Sequence, residues 1–327
     1  MKKHDRDSFS ASIYHSFPGQ ERFDFPEYLA RVTSGFGGET FLIFGSEKTA
    51  LYDCGMAYCS NETIKNIEKE LKRRDRKSPD FILISHTHYD HIGALPYILK
   101  VWPDVEVCGA GKALEVFQSA GAKRTMERLG KAAWEVFSNA YRNIYENSAE
   151  AEITAEGMRI DRIVKDDDII DLGDIKVRVI ECKGHTDCSL AYALEPMRLL
   201  LTCESTGVLR NPQVLHTAFV KNYWESIESA KKCKAYGANQ LMVQHFGLTP
   251  KGYTDEFFDW YMEIAKAEKD MILTLHKAGL SKEEIMEKYI EAFWSSERGK
   301  AQPYAAFIEN GRHIINNIIK LYKEYEH

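Results

Sequence analysis

The chain has 327 residues, 44% hydrophobic and 28% charged, the composition of a folded globular protein and not of a disordered, fibrous or membrane-embedded one. Its 43 Lys and Arg against 49 Asp and Glu leave a net charge of −6, so no overall positive field draws it to phosphate backbones or anionic lipid. Neither nucleic acid nor membrane is therefore expected as a partner.

In chain order, residues 1–17 carry charge but no continuous apolar core or small-residue cleavage site, so they do not read as a secretory signal. No apolar run reaches bilayer length. Seven cysteines (Cys54, Cys59, Cys108, Cys182, Cys188, Cys203 and Cys233) are odd in number and lack CxxC pairs, which argues for a reducing, cytoplasmic setting. Residues 39–44 and 49–53 predict two strands around a Gly-Ser turn, closed by Gly55. Ser60 is placed to cap a helix whose Ile64, Ile67 and Leu71 share a face, and the basic run 69–77 reads as a solvated helix end. Residues 81–84 form a short apolar strand suited to burial on both faces. Met126, Leu129, Ala133, Val136, Phe137, Tyr141 and Ile144 recur at helical spacing and predict an inserted helical pair over about 112–148. Short strands return between Ile153 and Leu194, then at 199–201 and 240–243. From Thr254 onward the pattern is helical only, with Ser281 and Glu284 as a capping box.

The eleven histidines are the one count that points toward chemistry, and three of them cluster. His86, His88 and His91, with Asp90, lie within six residues directly after the 81–84 strand. Imidazole and carboxylate are donors that Zn²⁺, Fe and Mn accept, and a strand-end loop aims alternate side chains at one point. His86 and His88 project to one side and can share a metal. Asp90 and His91 fall where the loop enters a helix and can face a second metal.

This HxHxDH motif after an apolar strand resembles the signature of the metallo-β-lactamase superfamily. The resemblance extends from about residue 30 to 248. Asp53, Cys54 and Gly55 match the family's early DxG, in which the Asp supports but does not ligate. Gly184, His185 and Thr186 match its GHT, and His245 matches the histidine after its last sheet strand. One departure stands out: where hydrolases of the family carry Gly-Asp, this chain has Cys203 and Glu204. Aligned on the strand, Glu204 takes the bridging position; a cysteine ligand at Cys203 is the competing reading, disfavoured because a one-residue slip turns a side chain to the opposite face. The GHT continues as Asp187, Cys188 and Ser189, with Asp187 open to bonding a ligand's second nitrogen or a substrate cation, although forming the turn is the commoner role of such an Asp.

What the resemblance implies is a four-layer αββα sandwich (α/β, of α+β type) over residues 1–250, with the helical insertion, and a helical cap or dimerisation extension over 251–327. Its metal ligands would be His86, His88 and His185 for one ion and Asp90, His91 and His245 for the other, with Glu204 and a hydroxide between them. The expected cofactors are two divalent ions, Zn²⁺ first, with Fe or Mn as alternatives. The expected activity is hydrolysis of a small ester-type substrate (thioester, lactone or phosphodiester), with Asp90 also orienting water or protonating the leaving group. Two alternatives stand beside it. One is a non-haem iron redox enzyme of the same fold, sulfur dioxygenase or flavodiiron-like, although the flavodiiron branch carries Glu where this chain has His88. The other is a metal-binding module without catalysis. Trp134, Phe137, Tyr141, Tyr145, Tyr223, Trp224, Phe257 and Trp260 offer aromatic surface for an acyl or aryl group, or simply pack between helices. The C-terminal helices resemble those that cover the metal centre in the quinolone-biosynthesis thioesterase type, and their apolar stripe would equally suit a homodimer. His4, His15, His216, His276, His313 and His327 carry no assignment.

Overall fold

The computed structural model describes residues 25–144, 153–211, 214–300 and 302–325. Two six-stranded mixed sheets dominate it. The first contains β1 (Leu29–Arg31), β2 (Phe41–Phe44), β3 (Thr49–Tyr52), β4 (Phe81–Leu83), β5 (Glu106–Gly109) and β6 (Arg162–Ile163), paired in that order. β1 to β3 run antiparallel, and β3 to β6 parallel, with Tyr52 opposite Leu83 and Leu83 opposite Cys108. Parallel pairing needs a crossover. It is supplied by α1 (Ser60–Arg73) between β3 and β4, and by α2 (Tyr89–Ile92) and α3 (Leu95–Val101) between β4 and β5. The insertion forms two consecutive helices, α4 (Gly111–Gln118) and α5 (Ala120–Ile144).

The second sheet uses β7 (Ile169–Asp171), β8 (Lys176–Glu181), β9 (Leu190–Glu195) and β10 (Leu199–Leu201). A two-stranded ribbon of β11 (Val208–Asn211) and β12 (Val214–His216), then α6 (Tyr223–Tyr236), lead to β13 (Gln240–Val243) and β14 (Gly247–Leu248). The sheet order is β14-β13-β10-β9-β8-β7. Four helices follow: α7 (Thr254–Lys277), α8 (Lys282–Phe293), α9 (Ser296–Gly299) and α10 (Tyr304–Tyr325).

Side-chain alternation explains the layering. Phe41, Ile43, Ala50, Tyr52, Phe81, Leu83 and Cys108 share a core with the second sheet's Val177, Val179, Tyr192 and Leu194. Their neighbours Leu42, Leu51, Ile82 and Val107 point the other way and pack with Ile67, Leu71, Ile98 and Phe117 of the outer helices. The sheets are also tied by polar contacts, for Tyr52 donates to the Thr202 carbonyl at 3.0 Å and Tyr192 to the Ile84 carbonyl at 2.8 Å. On the second sheet's side, Phe257, Tyr261, Ile285, Phe307 and Ile314 of the C-terminal helices belong to the same core as the sandwich.

Two local expectations need correction. Ser60 is the first helical residue, not the cap: a 3-10 turn at Ala57–Cys59 leads into α1, Cys59 precedes the helix, and no side chain caps it. Val136 is 50% exposed although its helical neighbours Ala133 and Phe137 are buried, so the apolar face of α5 is narrower than its spacing suggests. The capping box at Ser281 and Glu284 is present in both directions. Among the described residues no helix is long and apolar enough to cross a membrane.

Candidate metal centre

Five strand ends converge on one edge of the sandwich. β3 delivers Asp53, β4 delivers His86 and the loop to α2, the β8–β9 connection delivers His185, and β10 and β13 deliver Glu204 and His245. Sites at the carboxyl ends of strands are the rule in open α/β sheets, because side chains from adjacent strands meet there. The backbone is shaped for the purpose. Asp53 and His245 adopt positive φ of 50° and 62°, a conformation that costs on the order of 1–3 kcal/mol outside glycine and clusters at functional sites. Gly184 sits at φ 119°, and a Cβ there would lie 2.4 Å from the Ser226 backbone nitrogen, so only glycine lets His185 approach.

Two groups of donor atoms result, each with all its atoms within 4.8 Å of one another: His86, His88, His185 and Glu204, and Asp90, His91, Glu204 and His245. Glu204 divides its oxygens between them. Oε2 lies 3.0 Å from His185 Nε2, while Oε1 lies 3.1 Å from His91 Nε2 and 2.5 Å from His245 Nε2. In the first group His88 Nδ1 faces His185 Nε2 at 2.8 Å. In the second, Asp90 Oδ2 is 3.5 Å from His245 Nε2 and 3.7 Å from His91 Nε2.

The outer nitrogens are spoken for, which fixes the ring tautomers. His185 Nδ1 donates to the Ala218 carbonyl at 2.6 Å, and His91 Nδ1 donates to Asp53 Oδ2 at 3.0 Å. Ser85 Oγ donates to Asp53 Oδ2 at 2.6 Å and accepts from His86 Nδ1 at 3.0 Å. Each of these three rings therefore turns its Nε2 inward. His86 Nε2 is buried and has no hydrogen-bond partner among the described residues. Such an orphan is rare in a folded interior, and it is explained if the nitrogen ligates a cation.

Electrostatics agree. Burial, reinforced by the neighbouring imidazoles, holds His86 well below the ordinary histidine range and His88 down at about 3, so both are neutral donors. Burial also opposes protonation of His91, but Asp90, Asp53 and Glu204 outweigh it and push its pKa well up, so this ring carries a proton that a cation at Nε2 would displace. Burial raises the Glu204 carboxyl; His185 and His245 overcome this and hold it well below the usual range. Three carboxylates facing five imidazoles, with no Lys or Arg in ion-pair contact with Asp53, Asp90 or Glu204 among the described residues, make a nest for positive charge. The donor set fits a pair of divalent ions held by nitrogen and oxygen.

The structure thus brings together Asp53 and all seven residues singled out from the sequence. Cys203 does not join them: its thiol is fully buried and points to the Cys182 carbonyl at 3.7 Å. Glu204 instead opens a 3-10 turn immediately after it. Asp187 pairs with Lys221 at 3.2 Å, and the ring nitrogen it was open to bonding belongs to Ala218.

A cavity of about 70 Å³ opens over His88, Asp90, Glu204 and His245. Its far walls come from β11, β12, α5 and the helices α8 to α10. Of the two readings of the aromatic set, packing is the one observed for the described side chains other than Trp224. Trp134 packs on Tyr58, Phe137 on Phe36, Tyr223 on Phe219 and Phe257 on Phe258; Trp224 is 48% exposed and Trp260 lies against the core. The Tyr141 and Tyr145 side chains lie outside the described residues, as do His4, His15 and His327. The cavity's aromatic rings are Tyr89, Tyr289 and Phe307, and its unforeseen polar residues include Arg210, His216 and Arg298. No periodicity marks these residues, because they meet only when the C-terminal helices fold over the ribbon.

A sequence profile of the metallo-beta-lactamase superfamily matches residues 34–245. Glyoxylase B2 of Dictyostelium discoideum is 23% identical over 174 residues, which are 52% of this chain and 52% of that protein, so the chain spans about half the length of that relative. A metallo-beta-lactamase fold-containing protein of Sulfurisphaera tokodaii is 23% identical over 278 residues, 85% of this chain and 93% of that one. Coenzyme F420H(2) oxidase of Methanocaldococcus jannaschii is 29% identical over 139 residues, 42% of this chain and 32% of that protein. A crystal structure of an archaeal superfamily protein from Sulfolobus tokodaii superposes with a TM-score of 0.51 at 18% identity, covering 83% of this chain and 97% of that chain.

Proposed function

The chain belongs to the metallo-β-lactamase superfamily, and on that premise we propose that it is a metal-dependent hydrolase of a small ester-type substrate, a thioester, lactone or phosphodiester. The observation that carries the reading is Glu204, whose two oxygens each serve one of two complete donor groups at the floor of one cavity. His86, His88 and His185 would hold one ion, Asp90, His91 and His245 the other, with Glu204 shared. When bound, divalent ions supply a water of lowered pKa and an electrophile for the ester oxygen.

The protein's own groups do the rest. Asp53 keeps His91, and through Ser85 also His86, in the tautomer that turns Nε2 inward. Asp90 keeps 15% of its side chain exposed beside the cavity, where its carboxylate orients the attacking water and holds the proton until the leaving group takes it. The C-terminal helices limit the substrate to something small and shield the reaction from bulk water. The oxidase relative raises an iron redox reading. The imidazole of His88, in place of the glutamate that the flavodiiron branch carries, supports the hydrolytic reading over it.

Elemental analysis of protein purified without added metal, a panel of thioester, lactone and phosphodiester substrates, and anomalous diffraction at the Zn and Fe edges test the proposal. The expected result is close to two ions per chain and turnover of one substrate class, abolished in His88→Ala. Less than one tightly held ion per chain, or turnover indifferent to His88→Ala, would sink it.

A further inference from the structure

The cavity over the cluster contains two cationic side chains that ester hydrolysis at the metal centre leaves unused. Arg210 projects from β11 and Arg298 from α9, and both line the same space as His88, Asp90, Glu204 and His245. Arg210 has a buried Nε with no hydrogen-bond partner among the described residues. Arg298 is fixed along one edge: Nε donates to Gln302 Oε1 at 2.8 Å and Nη1 to the Phe293 carbonyl at 3.2 Å, while its guanidinium lies 4.7 Å above the Phe307 ring.

Both arginines are half-buried, and a guanidinium drawn partly out of water is stabilised by an anion beside it. The obvious internal candidate is Glu268, which attracts Arg298, yet its oxygens accept from the Thr217 and Tyr289 hydroxyls, and burial raises its pKa. Asp90 and Glu204 attract Arg210 but make no ion-pair contact with it among the described residues, and both belong to the metal-site groups. The two arginines also oppose each other, for burial and then the nearby Arg298 charge bring Arg210 down to about 10. His216, on the same wall, is kept neutral by burial and by both arginines, with its pKa pushed down to about 2. The wall thus holds two guanidinium groups with no ion-pair contact among the described residues, set among the apolar side chains of Leu129, Val208, Phe307 and Ile314.

We propose that Arg210 and Arg298 form an oxyanion-binding subsite of the metal cavity, so that the hydrolysed ester carries a carboxylate or phosphate at the end of an apolar body. This assignment rests on the hydrolytic reading for the identity of the ligand as substrate, but not for the binding itself. A guanidinium fork matches either oxyanion in two-point contact, and the anion would anchor the molecule with its ester over Glu204.

The test compares two isosteric esters, mono-4-nitrophenyl adipate and 4-nitrophenyl hexanoate, on the zinc-loaded protein. It also measures calorimetric binding of 4-phenylbutyrate, phenethyl phosphate and neutral 4-phenylbutanamide. The expected kcat/KM is at least tenfold higher for the adipate ester. Arg210→Gln and Arg298→Gln should erode that preference through KM and weaken acid binding at least tenfold, with Arg210→Lys restoring part of it. The butyrate and phosphate arms decide which oxyanion the fork prefers. If neither ester is turned over while 4-phenylbutyrate still binds in an arginine-dependent way, the hydrolytic reading fails and the subsite stands. If both esters react equally and 4-phenylbutyrate binds no better than the amide, the subsite is overturned and hydrolysis stands. The ester preference and the acid-against-amide comparison are read on the wild-type protein, so they decide the matter even where a variant does not fold.

Discussion

Asp53 is the residue on which the orientation of the cluster turns. Its Oδ2 accepts from the Ser85 hydroxyl at 2.6 Å, His91 Nδ1 at 3.0 Å and Gln244 Nε2 at 3.2 Å, while Oδ1 accepts the Ser85 backbone N–H at 2.8 Å. An amide in its place carries two donors where the site needs only acceptors, so Asp53→Asn should release the His91 ring without touching the ligand atoms. Partners of this kind typically change metal affinity by about 10–100-fold. Competition of zinc-loaded protein with a chromophoric chelator measures the effect, and unchanged affinity would remove Asp53 from its positioning role. A second residue-scale expectation concerns the thiols. All seven cysteines are free and buried; burial pushes Cys59 up to about 11 and Cys108 up to about 12. The thiolate is the reactive form, so native protein at pH 8 should resist iodoacetamide at both, and labelling should appear only with denaturant. Fast alkylation of Cys59 in native protein would contradict this.

At the scale of elements, Glu268 of α7 joins three pieces of the cavity wall, accepting from Tyr289 of α8 and from Thr217 just after β12. Burial raises its pKa, and the two hydroxyls and Arg298 reverse this only in part. A carboxyl whose folded pKa exceeds its unfolded value contributes stability that is complete below the unfolded pKa and is lost as pH rises through the folded one. Glu268→Gln cannot ionise, so its unfolding midpoint should improve against wild type as pH rises from 4 toward neutrality. Equal midpoint differences at every pH would refute the assignment. The elements also show what could be read from sequence. HxHxDH, GHT and the final histidine follow short apolar strands, and a strand end leaves its next side chains little choice of direction. Glu204 was legible for the same reason, although it begins a 3-10 turn and does not continue the strand. Ser60 was misplaced because Ala57–Cys59 already turns the chain into α1. Sequence alone leaves the aromatic set between lining and packing, because spacing on α5 and α7 reports which face is apolar, not which neighbour covers it. Arg210 and Arg298 carry no local signature, since what makes them notable is their half-buried place on one cavity wall after the C-terminal helices dock.

Across the whole molecule, the two donor groups straddle the seam of the sandwich. His86, His88, Asp90 and His91 follow β4 in the first sheet, whereas His185, Glu204 and His245 extend from the second, and each group draws on both. A cation in either group therefore bonds the sheets to each other, and its binding free energy adds to folding stability because the unfolded chain has no preformed site. At free metal one hundred times Kd, one site adds about 2.7 kcal/mol. With an unfolding entropy of ~2.1 cal/mol/K per residue, that is a rise of roughly 4 °C in the midpoint for a chain of this length. Adding Zn²⁺ to chelator-treated protein should raise the calorimetric midpoint by that order for one site and more for two. His88→Ala and His245→Ala should each lose part of the gain. Glu204→Gln should lose more than either, because its two oxygens serve both groups. A midpoint indifferent to Zn²⁺, or a Glu204 variant no worse than the single-group variants, would show that this carboxylate does not join two metal sites.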